Sequence, residues 1–203
     1  MIDKIKFYMV PVSPWSFLSM KRLKNLSKKY KVPIDIKPID LFQIFKENGI
    51  KLVSERSACI QKNRINELKR WGSILNIKLN VKPKHFPVNP EKTCKILIAS
   101  TLTNEKNKTF DLAYSISKAL WTQNKNINSD ITLIKLIKEL KFKNDILKLA
   151  KQEKTLINYI KNTKEAIKNN VFGVPTFIYK KKLFWGQDRM SFLENHIKID
   201  LND

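Results

Sequence analysis

Glycine is scarce in this sequence of 203 residues. Only four glycines occur, whereas an average share of about 7% would supply about fourteen. Dinucleotide-binding fingerprints and phosphate-binding P-loops need several closely spaced glycines, so both kinds of nucleotide site are excluded. Histidine and cysteine are equally rare, and His85, His196, Cys59 and Cys94 lie far apart in the sequence. We therefore expect no metal site and no disulfide framework.

Acidic residues are also few. Eighteen Asp and Glu stand against forty Lys and Arg, which gives a formal net charge of +22 at pH 7. A nucleic-acid-binding protein gathers its cations on one face, beside aromatic side chains or within a known module. Here the lysines are spread from Lys4 to Lys198 among many Asn and Ile residues. We therefore expect a solvated basic surface that attracts acidic small molecules, and no nucleic-acid partner.

Long hydrophobic runs are absent as well. No segment approaches the roughly 20 apolar residues that cross a bilayer, and Pro11 and Pro14 interrupt the apolar N-terminal stretch. No small-residue cleavage site follows that stretch. We expect no membrane partner, a cytoplasmic location, and reduced cysteines that serve as small core residues.

The first forty residues predict a β-α-β unit. Residues 5–10 and 34–39 are apolar and rich in β-forming residues, which is typical of strands. Between them, Ser13 and Pro14 indicate an N-cap followed by proline at the first helical position. We expect the two strands to pair in parallel through a right-handed crossover.

The middle of the chain, residues 41–170, is predicted to be helical. One helix is expected to end before Leu79, and another to begin at Asn89-Pro90. Two more are indicated over 110–121 and 131–140. The clearest helical periodicity, with spacings that alternate between three and four, is formed by Leu149, Glu153, Leu156, Ile160, Thr163 and Ile167.

The C-terminal part returns to a period of two. Residues 176–179 and 183–185 flank the three lysines 180–182, which predicts a β-hairpin. Asp188 is predicted to cap a last helix. The inward face of that helix is predicted to consist of Phe192, Leu193 and Ile197.

This order of elements favours an insertion over two consecutive domains. The β-α-β unit and the C-terminal hairpin can share one sheet, while the helices between them form a separate layer. We therefore predict a sheet domain made of residues 1–40 and 152–203, interrupted by a helical insertion domain at 41–151. Hydrophobic residues make up 42% of the chain, which is enough for such a core.

Four segments of the sequence stand out together. They are SPWS at residues 13–16, FPVNP at 86–90, FGVPTF at 172–177 and LFWGQDR at 183–189. With them the chain resembles the 2-hydroxychromene-2-carboxylate isomerase family, which is close to the kappa-class glutathione transferases and the DsbA-like proteins. The resemblance implies an α/β, thioredoxin-like fold with a large all-helical insertion between β-α-β and α-β-β-α halves.

The SPWS segment occupies the place where redox-active members of the fold carry C-x-x-C. A hydroxyl cannot form a disulfide, so dithiol exchange at this position is excluded. The resemblance supplies glutathione as cofactor, and the Ser13 hydroxyl and the helix N-terminus would then stabilise its thiolate. Ser13 is accordingly the candidate catalytic residue. The alternative is that Ser13 only caps its helix.

The resemblance also implies a glutathione-binding set. A cis bond between Val174 and Pro175 would leave the backbone of Val174 free to pair with the cysteinyl part of the tripeptide. Lys51 would meet a carboxylate, and Asn89 would either serve the acceptor site or cap its helix. The remaining positions expected along the tripeptide are Trp185, Gly186, Gln187, Asp188 and Arg189.

Two positions depart from the family pattern. The family usually carries an aspartate three residues before the serine, where this chain has Val10. It carries Gly-Asn-Lys where this chain has Gly49-Ile50-Lys51, so the asparagine contact is missing. Both departures bear on how tightly glutathione would bind.

The activity implied is a glutathione-dependent isomerisation. It would interconvert 2-hydroxychromene-2-carboxylate and trans-o-hydroxybenzylidenepyruvate by reversible thiolate addition, in aromatic degradation. The substrate would be a small aromatic carboxylate and the protein a homodimer. Two alternatives stay open: a kappa-like glutathione transferase that stops at the adduct, and a noncatalytic DsbA-like module that binds acidic partners.

Overall fold

A mixed four-stranded sheet forms the centre of the structure, a computed structural model that describes residues 3–201. The strands are β1 (Ile5–Met9), β2 (Ile34–Pro38), β3 (Thr176–Tyr179) and β4 (Lys182–Trp185), in the spatial order β2-β1-β3-β4. The pair β1 and β2 is parallel, and the other two pairs are antiparallel. The predicted β-α-β unit and hairpin are therefore confirmed.

Helices surround this sheet. They are α1 (Pro14–Tyr30), α2 (Leu41–Glu47), α3 (Ala58–Ile74), α4 (Glu91–Thr101), α5 (Thr109–Trp121), α6 (Asp130–Glu139), α7 (Ile146–Ala150), α8 (Glu153–Lys168) and α9 (Met190–Asp200). Short 3-10 turns occur at Val53–Glu55, Lys106–Lys108 and Gln187–Arg189. None of the helices within residues 3–201 is long and apolar enough to cross a membrane.

The helix predicted to end before Leu79 ends at Ile74, and the helix predicted to begin at Asn89-Pro90 begins at Glu91, so the middle of the chain is not helical throughout. Residues 75–90 contain no helix. Prolines at positions 83, 87 and 90 interrupt this stretch, because proline removes a backbone donor and restricts the residue before it. The segment crosses the surface of the helical part and later forms one wall of the cavity described below.

Strand β1 is the most deeply buried element of the sheet. Four of its five residues are buried, which matches a strand covered on both faces. Phe7 stacks on Phe177 of β3 with ring centroids 5.3 Å apart, and both side chains are fully buried. This pair holds the first and third strands in register next to the start of α1.

The predicted helical periodicity from Leu149 to Ile167 falls on two helices instead of one. Its run is broken after α7, so Leu149 lies outside α8, and Leu156 and Ile160 are exposed. The buried face instead consists of Thr155, Tyr159, Thr163 and Ala166. Burial of these threonines is possible because their hydroxyls are hydrogen-bonded, that of Thr163 accepting from the Asp40 N–H and donating to the Tyr159 carbonyl.

The last helix also begins later than predicted. Asp188 lies in the 3-10 turn Gln187–Arg189 and is not the N-cap of α9, which starts at Met190. Leu193 and Ile197 are buried as predicted, whereas Phe192 is 58% exposed. Adjacent helical residues lie about 100° apart, so Phe192 and Leu193 cannot both face the core.

The two cysteines have different environments. Cys94 is buried in α4 as predicted, and burial raises the pKa of its thiol well above the usual value. Cys59 is exposed near the start of α3, so the prediction that it is a core residue is wrong.

An ion cluster fastens α8 to the sheet just before the chain enters the candidate site. The carboxylate of Glu165 accepts from Lys6 Nζ at 2.7 Å and from the Tyr8 hydroxyl at 3.0 Å, and it pairs with Lys37 at 3.2 Å. Burial alone would raise the pKa of Glu165, but these cations outweigh it and lower the pKa. The cluster fixes the helix end from which residues 171–175 return to β3.

The Phe7–Phe177 stack generates a stability prediction with a matched control. Because Phe177 is fully buried, Phe177→Ala should lower the free energy of unfolding by about 3–5 kcal/mol. Phe192→Ala removes the same side chain from an exposed site and should change it by about 0.5 kcal/mol or less. Urea denaturation followed by circular dichroism measures both, and equal midpoints for the two variants would contradict the assigned core.

Candidate active site

A cavity of about 510 Å³ opens at the N-terminus of α1. One side comes from the sheet half of the fold, namely the turn after β1, the segment before β3 and the end of β4. The other side comes from α2 and the chain that follows it, the first turns of α3 and the segment before α4. The cavity therefore lies between the sheet and the helical middle of the chain.

Ser13 lies at the mouth of α1 and lines the cavity. Its backbone is extended, and its Oγ accepts a hydrogen bond from the Ser16 N–H at 3.2 Å. The N-cap prediction is thus confirmed, with Pro14 in the first turn. A cap uses a lone pair of the oxygen and leaves the hydroxyl proton free. Among residues 3–201 no acceptor takes that proton, so capping and donation to a ligand are compatible at this residue.

One backbone donor of the first helical turn is also left over. Pro14 has no N–H, the Ser16 N–H is taken by Ser13 Oγ, and the Phe17 N–H donates to the Ser13 carbonyl at 3.1 Å. The Trp15 N–H has no partner within residues 3–201, and Trp15 lines the cavity. The partial positive charge of the helix N-terminus adds to the pull of this donor on an anion.

Ser16 stands where redox-active relatives of the fold carry their second cysteine. It is fully buried, its Oγ has no hydrogen-bond partner in the described chain, and it does not line the cavity. Both places of the dithiol motif therefore hold hydroxyls, and only the first is accessible from the cavity.

The bond between Val174 and Pro175 is cis, as expected. The hydrogen bonds found among residues 3–201 include none to the backbone N–H or carbonyl of Val174, which lines the cavity. Its neighbours are committed: the Thr176 hydroxyl donates to the Gly173 carbonyl at 2.7 Å, and the Gly186 N–H donates to the Pro175 carbonyl at 2.9 Å. An extended ligand can therefore pair with Val174 as an added strand.

Aromatic side chains form the wall beside Val174. Phe172 and Trp185 contact each other with ring centroids 4.7 Å apart. Gly173 lies under the indole so closely that a Cβ there would be 2.7 Å from Trp185 Nε1. Only glycine at this position leaves room for the indole of Trp185 to lie so close to the backbone.

The other expected glutathione contacts lie outside the cavity lining. Gly186 has a φ of +106°, and Asp188 and Arg189 form an ion pair of 3.4 Å on the surface turn. Gln187 is buried, and its carbonyl accepts from the Arg22 guanidinium at 2.8 Å.

Lys51 and Asn89 lie at the rim. Lys51 is exposed between two lining residues, Ile50 and Leu52. Asn89 Oδ1 accepts from the Glu91 N–H at 2.9 Å, as a residue capping α4 would, while the neighbouring Pro90 lines the cavity. The departure positions Val10 and Ile50 both line the cavity, so each places an apolar side chain there.

Two cavity cations were missed by sequence reasoning. Arg56 and Arg64 line the cavity, and no Asp or Glu within the described residues 3–201 does. Burial, together with the charge of Arg56, lowers the pKa of Arg64 to about 10. One signal could have found them: the chain has thirty-five lysines and only five arginines, so each arginine marks a place where a planar guanidinium is used.

The chain matches known proteins over nearly its whole length. A family model described as a DSBA-like thioredoxin domain matches residues 4–198. The 2-hydroxychromene-2-carboxylate isomerase of Pseudomonas putida is 25% identical over 199 residues, which cover 94% of this chain and 92% of that protein.

Solved structures show the same fold. A 2-hydroxychromene-2-carboxylate isomerase aligns with a TM-score of 0.79 at 22% identity, covering 96% of this chain and 94% of that one. The cytosolic disulfide reductase DsbM of Pseudomonas aeruginosa, solved with GSH, aligns with a TM-score of 0.68 at 11% identity, covering 96% and 99%. The expected thioredoxin-like fold with a helical insertion is confirmed, whereas the division at residues 41 and 151 stays a prediction.

The close approach at Gly173 generates a prediction about the cavity wall. Gly173→Ala places a Cβ against Trp185, so the indole must turn away and its fluorescence emission should change. The same substitution in a Trp185→Phe background is the control, and there the emission should be unaffected. Identical spectra for the native protein and Gly173→Ala would contradict the packing described here.

Proposed function

Because the chain belongs to the DSBA-like thioredoxin domain family, we propose that it is a glutathione-dependent isomerase of the 2-hydroxychromene-2-carboxylate type. Relatives that carry this name align over almost the full length, which supports an enzymatic role. The observation that carries the proposal is the free hydroxyl proton of Ser13 at the mouth of a largely apolar cavity. A homodimer and a cytoplasmic location stay predictions of the resemblance.

The residues present fit glutathione. The unpaired backbone of Val174 offers one donor and one acceptor to an extended cysteinyl residue. The Ser13 hydroxyl and the Trp15 N–H are two uncommitted donors at a positive helix terminus, which is the environment that favours a thiolate. That a structural neighbour is solved with GSH supports the same cofactor.

The mechanism divides between the cofactor and the chain. When bound, glutathione would supply a thiolate for reversible addition to the conjugated double bond of the substrate, so that the bond can rotate before the thiolate leaves. The Ser13 hydroxyl and the Trp15 N–H would hold that thiolate and, as donors, would lower the thiol pKa below the value of about 8.5 that is ordinary for cysteine. The aromatic wall and Pro14 line the cavity, where they would shield the reacting atoms from water and orient the planar substrate.

Substitution of Ser13 tests the proposal. With trans-o-hydroxybenzylidenepyruvate as substrate, the native protein should isomerise only when glutathione is present. Ser13→Ala should lower kcat by at least about tenfold, because one preorganised donor to a developing or bound anion is lost. The pKa of bound glutathione, followed by the ultraviolet absorbance of the thiolate, should rise in the same variant.

Ser16→Ala is the matched control, since it removes a hydroxyl from the same helical turn that is buried, unpartnered and outside the cavity. It should leave the isomerisation rate unchanged. Ser13→Ala also removes the cap, which costs about 1 kcal/mol, so its rate is measured where circular dichroism shows it folded. Equal isomerisation rates with and without glutathione would contradict the proposal. Accumulation of a glutathione conjugate would indicate the transferase. An unchanged Tm in millimolar glutathione would indicate the noncatalytic module.

A further inference from the structure

Arg64 differs from the other arginines in having no polar partner. Among residues 3–201, it makes no ion pair and no hydrogen bond, and its guanidinium lies over the ring of Phe86 at 5.4 Å from the centroid. The others are all occupied. Arg22 donates to Gln187, Arg70 pairs with Glu67, Arg189 pairs with Asp188, and Arg56 donates to the Lys51 carbonyl.

The position of Arg64 makes this lack of a partner unfavourable. The side chain is partly buried in α3 and shares the cavity with Arg56, a like charge, while no carboxylate among residues 3–201 lines that cavity. Burial and the nearby cation both disfavour its charged form, which is why its pKa falls to about 10. It is still a cation at neutral pH, so an anion entering the cavity would relieve both effects.

The surroundings select the kind of anion. Phe86 lies against Arg64, and Arg56 lies over the ring of Phe45 at 6.0 Å from the centroid. The lining near them includes the apolar side chains of Leu52 and Val88. Two polar residues, Ser54 and Gln61, also line this part, and the Gln61 amide donates to the Arg56 carbonyl at 2.8 Å. A guanidinium binds a carboxylate through two parallel hydrogen bonds, and the flanking rings fit a flat apolar group attached to it.

We propose that Arg64, assisted by Arg56, binds the carboxylate of the acceptor substrate and so restricts the site to anionic aromatic acceptors. This inference rests on the proposed function, because the acceptor must share the cavity with a thiolate held at Ser13. The glycyl carboxylate of glutathione has the same chemistry, and the test separates the two sources.

Cinnamate and its neutral isostere cinnamamide are suitable probes, and quenching of Trp15 and Trp185 reports their binding. The native protein should bind cinnamate more tightly than cinnamamide. Arg64→Gln should lower the affinity for cinnamate by about tenfold or more, since a charge-assisted pair is lost, and it should leave the affinity for cinnamamide unchanged. The matched control is Arg70→Gln, because Arg70 lies on the same helix but is exposed and paired with Glu67. The affinity of this variant for cinnamate should stay within about twofold of the native value.

The affinity for glutathione, measured by calorimetry, decides which carboxylate is bound. A change of less than about twofold in Arg64→Gln supports the acceptor, and a loss as large as that for cinnamate overturns the inference. Equal affinities of the native protein for cinnamate and cinnamamide overturn it as well. If Arg64→Gln does not fold, Arg56→Gln should show the same selective loss in smaller measure, and unaltered cinnamate binding there would count against the site.

The result is independent of turnover. A native protein that fails to isomerise but still prefers cinnamate through Arg64 would contradict the proposed function and leave the carboxylate site standing. Conversely, the protein could isomerise with glutathione while Arg64→Gln changes neither KM nor kcat. That result would support the proposed function and contradict the assignment of Arg64 as the carboxylate-binding residue.

Discussion

The candidate site depends on how the hydroxyl of Ser13 is used at the start of α1. A helix N-terminus needs acceptors for its free N–H groups, and Ser13 supplies one with a lone pair of its oxygen. The hydroxyl proton and the Trp15 N–H are left pointing to no other described group. Ser13 can therefore cap the helix with its oxygen and donate its hydroxyl proton to a ligand at the same time. Cysteine at this place would be a poorer cap and would bring redox chemistry with it.

The rest of the fold brings three uncommitted groups to one cavity. Strand β1 pairs with β2 on one side and with β3 on the other, and Ser13 after β1 lines the same cavity as Val174 before β3. The helical middle adds Arg64 from α3. These groups are the hydroxyl proton of Ser13, the peptide group of Val174 and the guanidinium of Arg64. A ligand that satisfies all three would be anionic and extended. The net charge of +22 would draw such a ligand to the surface from a distance.

Much of the fold could be predicted from short local sequence patterns. Ser13-Pro14 predicted the start of α1, and the hairpin turn was predicted at lysines 180–182. Lysines 180 and 181 adopt the positive φ of a tight turn, while Lys182 already belongs to β4. The failures concern burial that depends on distant partners. The face of α8 is set by the bond between Thr163 and Asp40, which no periodicity in the helix records. The scarcity of arginine singled out five positions, but only the fold shows that Arg64 lines a cavity and has no polar partner among residues 3–201.

The two departures from the family pattern acquire a physical sense in this cavity. A carboxylate at position 10 would be fully buried three residues before Ser13, and it would oppose a thiolate there unless a cation accompanied it. Val10 removes that charge, and Ile50 removes a polar contact at the rim. Among residues 3–201, the formal charges that line the remaining, largely apolar cavity are the guanidinium groups of Arg56 and Arg64. Electrostatic attraction for anions within the cavity therefore comes from the N-terminus of α1 and from these two arginines, because no acidic side chain of the described lining opposes it.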